Sequence, residues 1–193
     1  EEAGPVILKF KRMDRFAEAA GLLDAVNLAA TKSCESFTTP QLLFMQHADG
    51  MFAQTYLPGM PIASGLLLNG ISFPHIARVL AELAALKVSG LPVLTHSQMA
   101  QDMAAMAQWV ACMLPKAATA LTEVVDTLVR ATPEDGDMVF CHGDMGADQI
   151  LIDVSGQWAL LDFDRAHMGS PYRDIASLMV KWQRDQGLVI SAD

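Results

Sequence analysis

The sequence predicts an α+β chain in two lobes, one small and sheet-bearing, the other larger and mainly helical. Three observations carry that reading. Short apolar, partly β-branched runs fill the first 56 residues around one helical stretch. A breaker cluster, Leu57-Pro58-Gly59-Met60-Pro61, then interrupts the chain. Beyond it apolar residues recur at helical spacing until strand patterning returns near residue 138. The boundary is set at the cluster, giving a first lobe over residues 1–57 and a second over 58–193.

Taken in order, Pro5 to Phe10 reads as a strand. Asp14 is expected to cap a helix running to about Ala30, with Phe16, Ala19, Leu23 and Val26 on one face. Gln41–Met45 and Met51–Tyr56 read as two strands joined around Asp49-Gly50, a turn pair. Past the cluster, Ile76, Leu80, Leu83 and Leu86 mark one helix and Leu121, Val124, Val125 and Leu128 another. Between them lies a methionine stripe, Met99, Met103, Met106 and Met113 with Val110. It reads as core packing by a flexible apolar side chain rather than as a ligand site. Residues 133–137 form a polar loop. Ser170-Pro171 reads as a cap followed by proline at the first helical position, and Leu178, one turn past Asp174, is expected to face the core.

Composition narrows the function. The 193 residues are 52% hydrophobic and 18% charged, which excludes a disordered tail. A net charge of −9 is the wrong sign for a phosphate-backbone binder, so no nucleic-acid partner is expected. No apolar run reaches the ~18 residues of a membrane span. Three widely spaced cysteines, Cys34, Cys112 and Cys141, fit neither a disulfide framework nor a zinc knuckle, and a reducing, cytoplasmic setting is expected. The chain opens on Glu1 without a signal segment.

The chemistry concentrates in residues 138–164, MVFCHGDMGADQILIDVSGQWALLDFD. Gln149–Val154 and Gln157–Asp162 read as a hairpin. With its turn centred on Ser155-Gly156, Ile152 opposes Ala159 and Gln149 opposes Asp162, setting an amide oxygen beside a carboxylate at the open end. Asp144 lies in the glycine-flanked loop that feeds this end, and Asp164 just beyond it. Oxygen donors converging at one mouth suit a hard cation such as Mg²⁺, which takes one or two protein carboxylates plus substrate phosphates. Cys141 beside His142 reads as a buried structural thiol, since adjacent strand residues face opposite ways. His47, His75, His96 and His167 show no metal-ligand spacing.

The run His142-Gly143-Asp144-Met145-Gly146-Ala147-Asp148-Gln149-Ile150-Leu151-Ile152-Asp153 resembles the catalytic loop of the aminoglycoside phosphotransferase / choline kinase family, which has the protein-kinase-like fold. Leu161-Asp162-Phe163-Asp164 resembles its metal motif, and Pro171 to Leu178 the helix that follows. PVILKF and TYLPGMP are similar to its lysine strand and interlobe hinge. The resemblance implies transfer of the ATP γ-phosphate to a hydroxyl of a small molecule, with Mg²⁺. It implies Asp144 as base or orienting group, His142 as support for the loop, and Gln149 and Asp162 as metal ligands. Asp174 would bond the loop backbone. Lys9, or alternatively Lys11, would contact the phosphates and pair with Glu18. The backbone from Gln54 through Tyr56 and Leu57 would meet the adenine edge.

Two departures from the family pattern open alternatives. Gln149 stands where an asparagine is usual, and no G-x-G-x-x-G loop occurs. A partial sequence lacking some of the first lobe and the last helices is expected. A catalytically inactive nucleotide-binding module and a metal-dependent hydrolase are the other readings.

Overall fold

The computed structural model describes residues 4–63, 73–131 and 136–185. Strands β1 (Val6–Phe10), β2 (Leu42–Gln46) and β3 (Met51–Thr55) form an antiparallel sheet in the order β1-β3-β2. Helix α1 (Met13–Ser33) serves two cores at once. Its Phe16, Ala20 and Leu23 pack with Phe52 beneath this sheet, while Val26 and Ala30 join the main core. The β2–β3 turn passes through Gly50 at φ 60°, where a Cβ would stand 2.6 Å from the Lys11 carbonyl oxygen. Only glycine allows that approach. Asp14 is not the cap that its position suggested. The cap residue is Arg12, which makes no capping side-chain bond, and Asp14 sits in the first turn, paired with Arg12 at 3.1 Å. An acid there is favoured by the helix dipole without having to cap.

Residues 56–59 carry the chain across to the second sheet. The sequence marked 57–61 wholly as breakers, yet Met60–Pro61 forms a short strand, β4, pairing with Ile152 and Leu151 of β6 (Ile150–Ile152). β4 is an edge strand, where a proline lacking its N–H is tolerated. The sheet runs β4-β6-β7, with β7 at Trp158–Leu160. Gly59 lies so close to β6 that a Cβ would come within 3.0 Å of the Ile152 carbonyl.

The hairpin register differs by one residue from the two-residue-turn expectation. Ile150 pairs with Leu160 and Ile152 with Trp158, so Gln149 stands opposite Leu161, whose N–H donates to the Gln149 carbonyl at 3.0 Å, and not opposite Asp162. The cause is a three-residue loop. The Asp153 carboxylate accepts from the N–H and hydroxyl of Ser155 and from the N–H of Gln157, and Gly156 takes φ 83°. An aspartate binding its own turn lengthens the loop and shifts every later pair. A further ladder, β5 (Val139–Cys141) with β8 (His167–Gly169), was half unseen: β8 carries no strand signature of its own.

Helices α2 (Phe73–Ala84), α3 (His96–Met113), α4 (Ala118–Arg130) and α5 (Tyr172–Asp185) complete the fold. Thr95 caps α3 by accepting from the Gln98 N–H at 3.0 Å. The main core joins Val79 and Leu83 of α2 to Phe140, Ile150, Leu160 and Leu178. The methionine stripe is not in it. α3 and α4 pack on one another, but α3 buries only Ala100 and α4 no residue, while Met106 and Met113 are exposed. Helical spacing reports an apolar face; it does not report what covers that face. Residues 133–135 of the expected polar loop lie outside the described residues.

Candidate active site

The loop from β5 to β6, residues 142–149, is held by one face of α5. Asp174, Ser177, Leu178 and Lys181 follow the helical i, i+3, i+4, i+7 pattern and so share a side. The buried Asp174 carboxylate accepts from the backbone N–H of His142 at 2.6 Å and of Gly143 at 3.0 Å. The Ser177 hydroxyl donates to the Met145 carbonyl at 2.8 Å. Lys181 Nζ donates to both the carbonyl and Oδ1 of Asp144, each at 2.6 Å. Leu178 anchors this face in the core.

Three carboxylates, Asp174, Asp162 and Asp144, act electrostatically on His142, whose ring is fully buried. Its Nε2 lies 2.7 Å from the Leu161 carbonyl. That oxygen can only accept, so Nε2 carries the proton and Nδ1, which has no partner, is bare. Burial pushes this imidazole below its ordinary value, outweighing the Leu161 bond and the acids. The Phe163 ring stacks against it at 4.9 Å. His142 is thus a neutral post that ties the loop to the segment carrying Asp162.

Asp144 and Asp162 are the open acids, with side chains 38% and 46% exposed. Besides Lys181 at Oδ1, Asp144 has Arg165 Nε 3.9 Å from Oδ2. Asp162 adopts φ 63°, the only non-glycine residue beyond zero among those described. That left-handed conformation costs roughly 1 kcal/mol or more, and such strain gathers at working sites. Burial would raise the Asp162 carboxyl, but the Lys9 ammonium, Asp164 and Lys11 outweigh it and hold it below the usual range.

Lys9 Nζ donates to Asp162 Oδ1 at 2.7 Å, and Lys11 pairs with Asp164. Two cations of β1 and the segment after it thus meet two acids of the other lobe. No ion pair joins Lys9 to Glu18 among the described residues. Glu18 instead lines a groove of about 530 Å³ with Lys11, Arg15, Asp164 and Arg165. At the crossing between sheets, the N–H groups of Thr55 and Tyr56 are taken by the carbonyls of Gln41 and Pro5. Leu57 follows directly.

Gln149 Oε1 is buried and has no hydrogen-bond partner. A lone acceptor in that condition is costly unless something electropositive meets it. Among the described residues no three His, Cys, Asp or Glu side chains cluster as a metal-binding group. The register sets Gln149 opposite Leu161, so the hairpin does not bring this amide and the Asp162 carboxylate together as an opposed pair. An oxygen acceptor of this kind suits a hard cation such as Mg²⁺, which fills most of its shell with phosphate oxygens and water.

Sequence reasoning missed Lys181, Ser177 and Arg165. The signal for the first two was present, at seven and three residues past Asp174 on one helical face. A cavity of about 670 Å³ between α2, β5 and α5 is apolar apart from Asp174 and Gln183, and Asp174 is committed to the loop.

Residues 1–191 match the profile of APH, described as the phosphotransferase enzyme family. No curated protein matches the chain in sequence. Solved structures do match in fold. An aminoglycoside phosphotransferase from Streptomyces rimosus, in complex with ADP and streptomycin, superposes with TM-score 0.65 at 18% identity, over 94% of this chain and 73% of that one. A macrolide 2'-phosphotransferase from Brachybacterium faecium gives 0.67 at 19%, over 95% and 68%. A choline/ethanolamine kinase family protein from Mesorhizobium loti gives 0.64 at 18%, over 97% and 63%. The chain thus spans between 63 and 73% of these three. The fold is the α+β, protein-kinase-like one.

Proposed function

The chain belongs to the phosphotransferase enzyme family, and from that premise we propose that it moves the ATP γ-phosphate to a hydroxyl of a small molecule, with Mg²⁺ as the metal. The observation that carries the reading is that Asp174 grips the backbone of the loop bearing Asp144, and His142 ties that loop to the segment bearing Asp162, with Asp144 and Asp162 left open to solvent. Phosphoryl transfer asks the protein chiefly for positioning and charge. One acid can meet an acceptor alcohol and the other a metal–phosphate, while the third keeps the loop in place.

In this reading the acceptor O–H gives its proton to Asp144 as its oxygen bonds to the γ-phosphorus. The bond from that phosphorus to the β-phosphate oxygen breaks, and ADP leaves. Gln149 and Asp162 would hold Mg²⁺, which would neutralise charge on the phosphate oxygens. Lys9, resting on Asp162, stands where a phosphate could share it, the ammonium taking phosphate oxygen and the carboxylate the metal. We assign the adenine edge to the crossing at Tyr56 and Leu57, with Leu57 as the residue whose N–H would serve. Glu18 is assigned a place near the phosphates across the Lys11 groove. The Streptomyces rimosus structure, solved with ADP and streptomycin, supports a nucleotide and a small-molecule acceptor. Three free thiols suit a reducing compartment, and we assign the cytoplasm.

The test is transfer of labelled phosphate from ATP to a panel of aminoglycosides, macrolides and amino alcohols, with wild-type protein and Asp144→Ala. The expected result is loss of about 10²- to 10⁴-fold in the variant, the range of a positioned proton acceptor. A twofold loss would overturn the role. ATP binding without turnover by wild-type protein would favour the inactive nucleotide-binding module.

A further inference from the structure

Lys181 belongs to none of the motifs above, yet among the described residues no other side chain touches Asp144 more closely. It reaches the acid from α5, two turns past Asp174, and bonds twice: to the backbone carbonyl and to Oδ1. The two bonds have different consequences. The carbonyl bond fixes where the residue sits. The Oδ1 bond fixes how the carboxylate is turned, since a carboxylate with one oxygen tied to an ammonium presents the other. Among the described residues Oδ2 accepts no hydrogen bond; Arg165 Nε stands 3.9 Å away, on a side chain 73% exposed.

A second feature makes room for this contact. Gly146 is not required by a left-handed φ. A Cβ there would lie 2.4 Å from Asp148 Oδ1 and 3.0 Å from Lys181 Cδ, so the bare glycine leaves room for both the Asp148 carboxylate and the lysine stem. Lys181 is only 22% exposed, so its ammonium is partly shielded and its direction is set by packing.

We propose that Lys181 is a positioning residue of the transfer site, which ties up Asp144 Oδ1 and so leaves Oδ2 as the oxygen that receives the acceptor's proton. The proposal rests on the phosphotransferase reading and adds a residue and an atom to it. Lys181 makes no contact with substrate; it acts through Asp144. Asp174 and Ser177 hold the loop by its backbone, and Lys181 alone on that face holds the reacting side chain.

The experiment compares wild type, Lys181→Met and Lys181→Arg in the full-length protein. Readouts are kcat and KM for ATP with water, streptomycin, a macrolide and choline as phosphate acceptors, together with thermal melting. Methionine keeps the stem and removes the charge. The expected result is a kcat lowered about 10- to 100-fold, the scale of a misplaced reacting group, with KM for ATP within about threefold. Arginine restores most of the loss, because it returns a cation and donors to Oδ1. Two results would overturn the proposal while leaving the phosphotransferase reading intact. One is an active wild type with Lys181→Met within twofold of it. The other is arginine no better than methionine when both melt like wild type. A wild type that turns over with none of the acceptors defeats the phosphotransferase reading, and the role of Lys181 falls with it.

Discussion

Helices α4 and α5 are alike in length and amphipathic pattern, and they do opposite things. α5 buries Asp174 and Leu178 and spends its inward face on the 142–149 loop, bonding it at His142, Gly143, Met145 and Asp144. α4 buries nothing; with α3 it forms a hairpin that shows Met106, Trp109, Met113 and Leu128 to the outside. An amphipathic stripe states that a helix has two faces. The polar residues inside the stripe state what the apolar face is for. On α5 the stripe contains an acid, a hydroxyl and a lysine; on α3 it contains methionines.

The sharpest way to break this contrast is to remove the grip. Asp174→Ala leaves the buried His142 N–H and the half-buried Gly143 N–H without an acceptor. It is expected to destabilise the protein by about 3 kcal/mol or more and, by letting the loop drift, to slow phosphate transfer roughly 100-fold. Denaturant unfolding and steady-state kinetics read both. Normal kinetics in a folded variant would show that the loop holds itself.

Next in size is a matched pair. Leu178→Ala, in the core, should cost about 2–4 kcal/mol. Met106→Ser, on the α3 face, should change stability by no more than about 0.5 kcal/mol. Equal costs in denaturant unfolding would erase the difference between the helices and mean that the α3–α4 face is covered in solution.

A smaller effect follows from the buried histidines. His142 and His167 are both held below their ordinary value of 6.5, chiefly by burial. The unfolded chain then binds protons that the fold refuses. Stability is full above about pH 6.5 and falls below it, by at most about 1.4 kcal/mol per pH unit for each histidine. Melting temperatures at pH 7.5 and 5.5 should show the decline, and His142→Gln should flatten it in part. A melting temperature indifferent to pH in that range would contradict the neutral post.

Much of this was legible in the residues. The strand at Val6–Phe10, the long first helix, the turn at Asp49-Gly50 and the start of α5 after Ser170-Pro171 follow from local rules, and the structure has them. Two failures have plain causes. The hairpin register turned on whether Asp153 would bind its own turn, and a one-residue change in loop length moves every later pair. β8 is three residues, His167–Gly169, made a strand by β5 and by the Pro92–Leu94 segment rather than by propensity. The Lys181 contact lay in the spacing from Asp174 but needed the loop's position to become visible. The pairing of Lys9 with Asp162 joins residues 153 apart, which no local pattern encodes.

The central proposal is that Gln149 and Asp162, which the hairpin register does not oppose, hold one Mg²⁺ between them. The most direct measurement is a crystal grown with Mn²⁺ and ADP, with the anomalous signal of the metal located. The account expects the peak about 2.1 Å from Gln149 Oε1 and from a carboxylate oxygen of Asp162, with the nucleotide phosphates on its far side near Lys9. A metal held without Gln149 and Asp162, or ADP lodged in the apolar cavity between α2, β5 and α5, would contradict it.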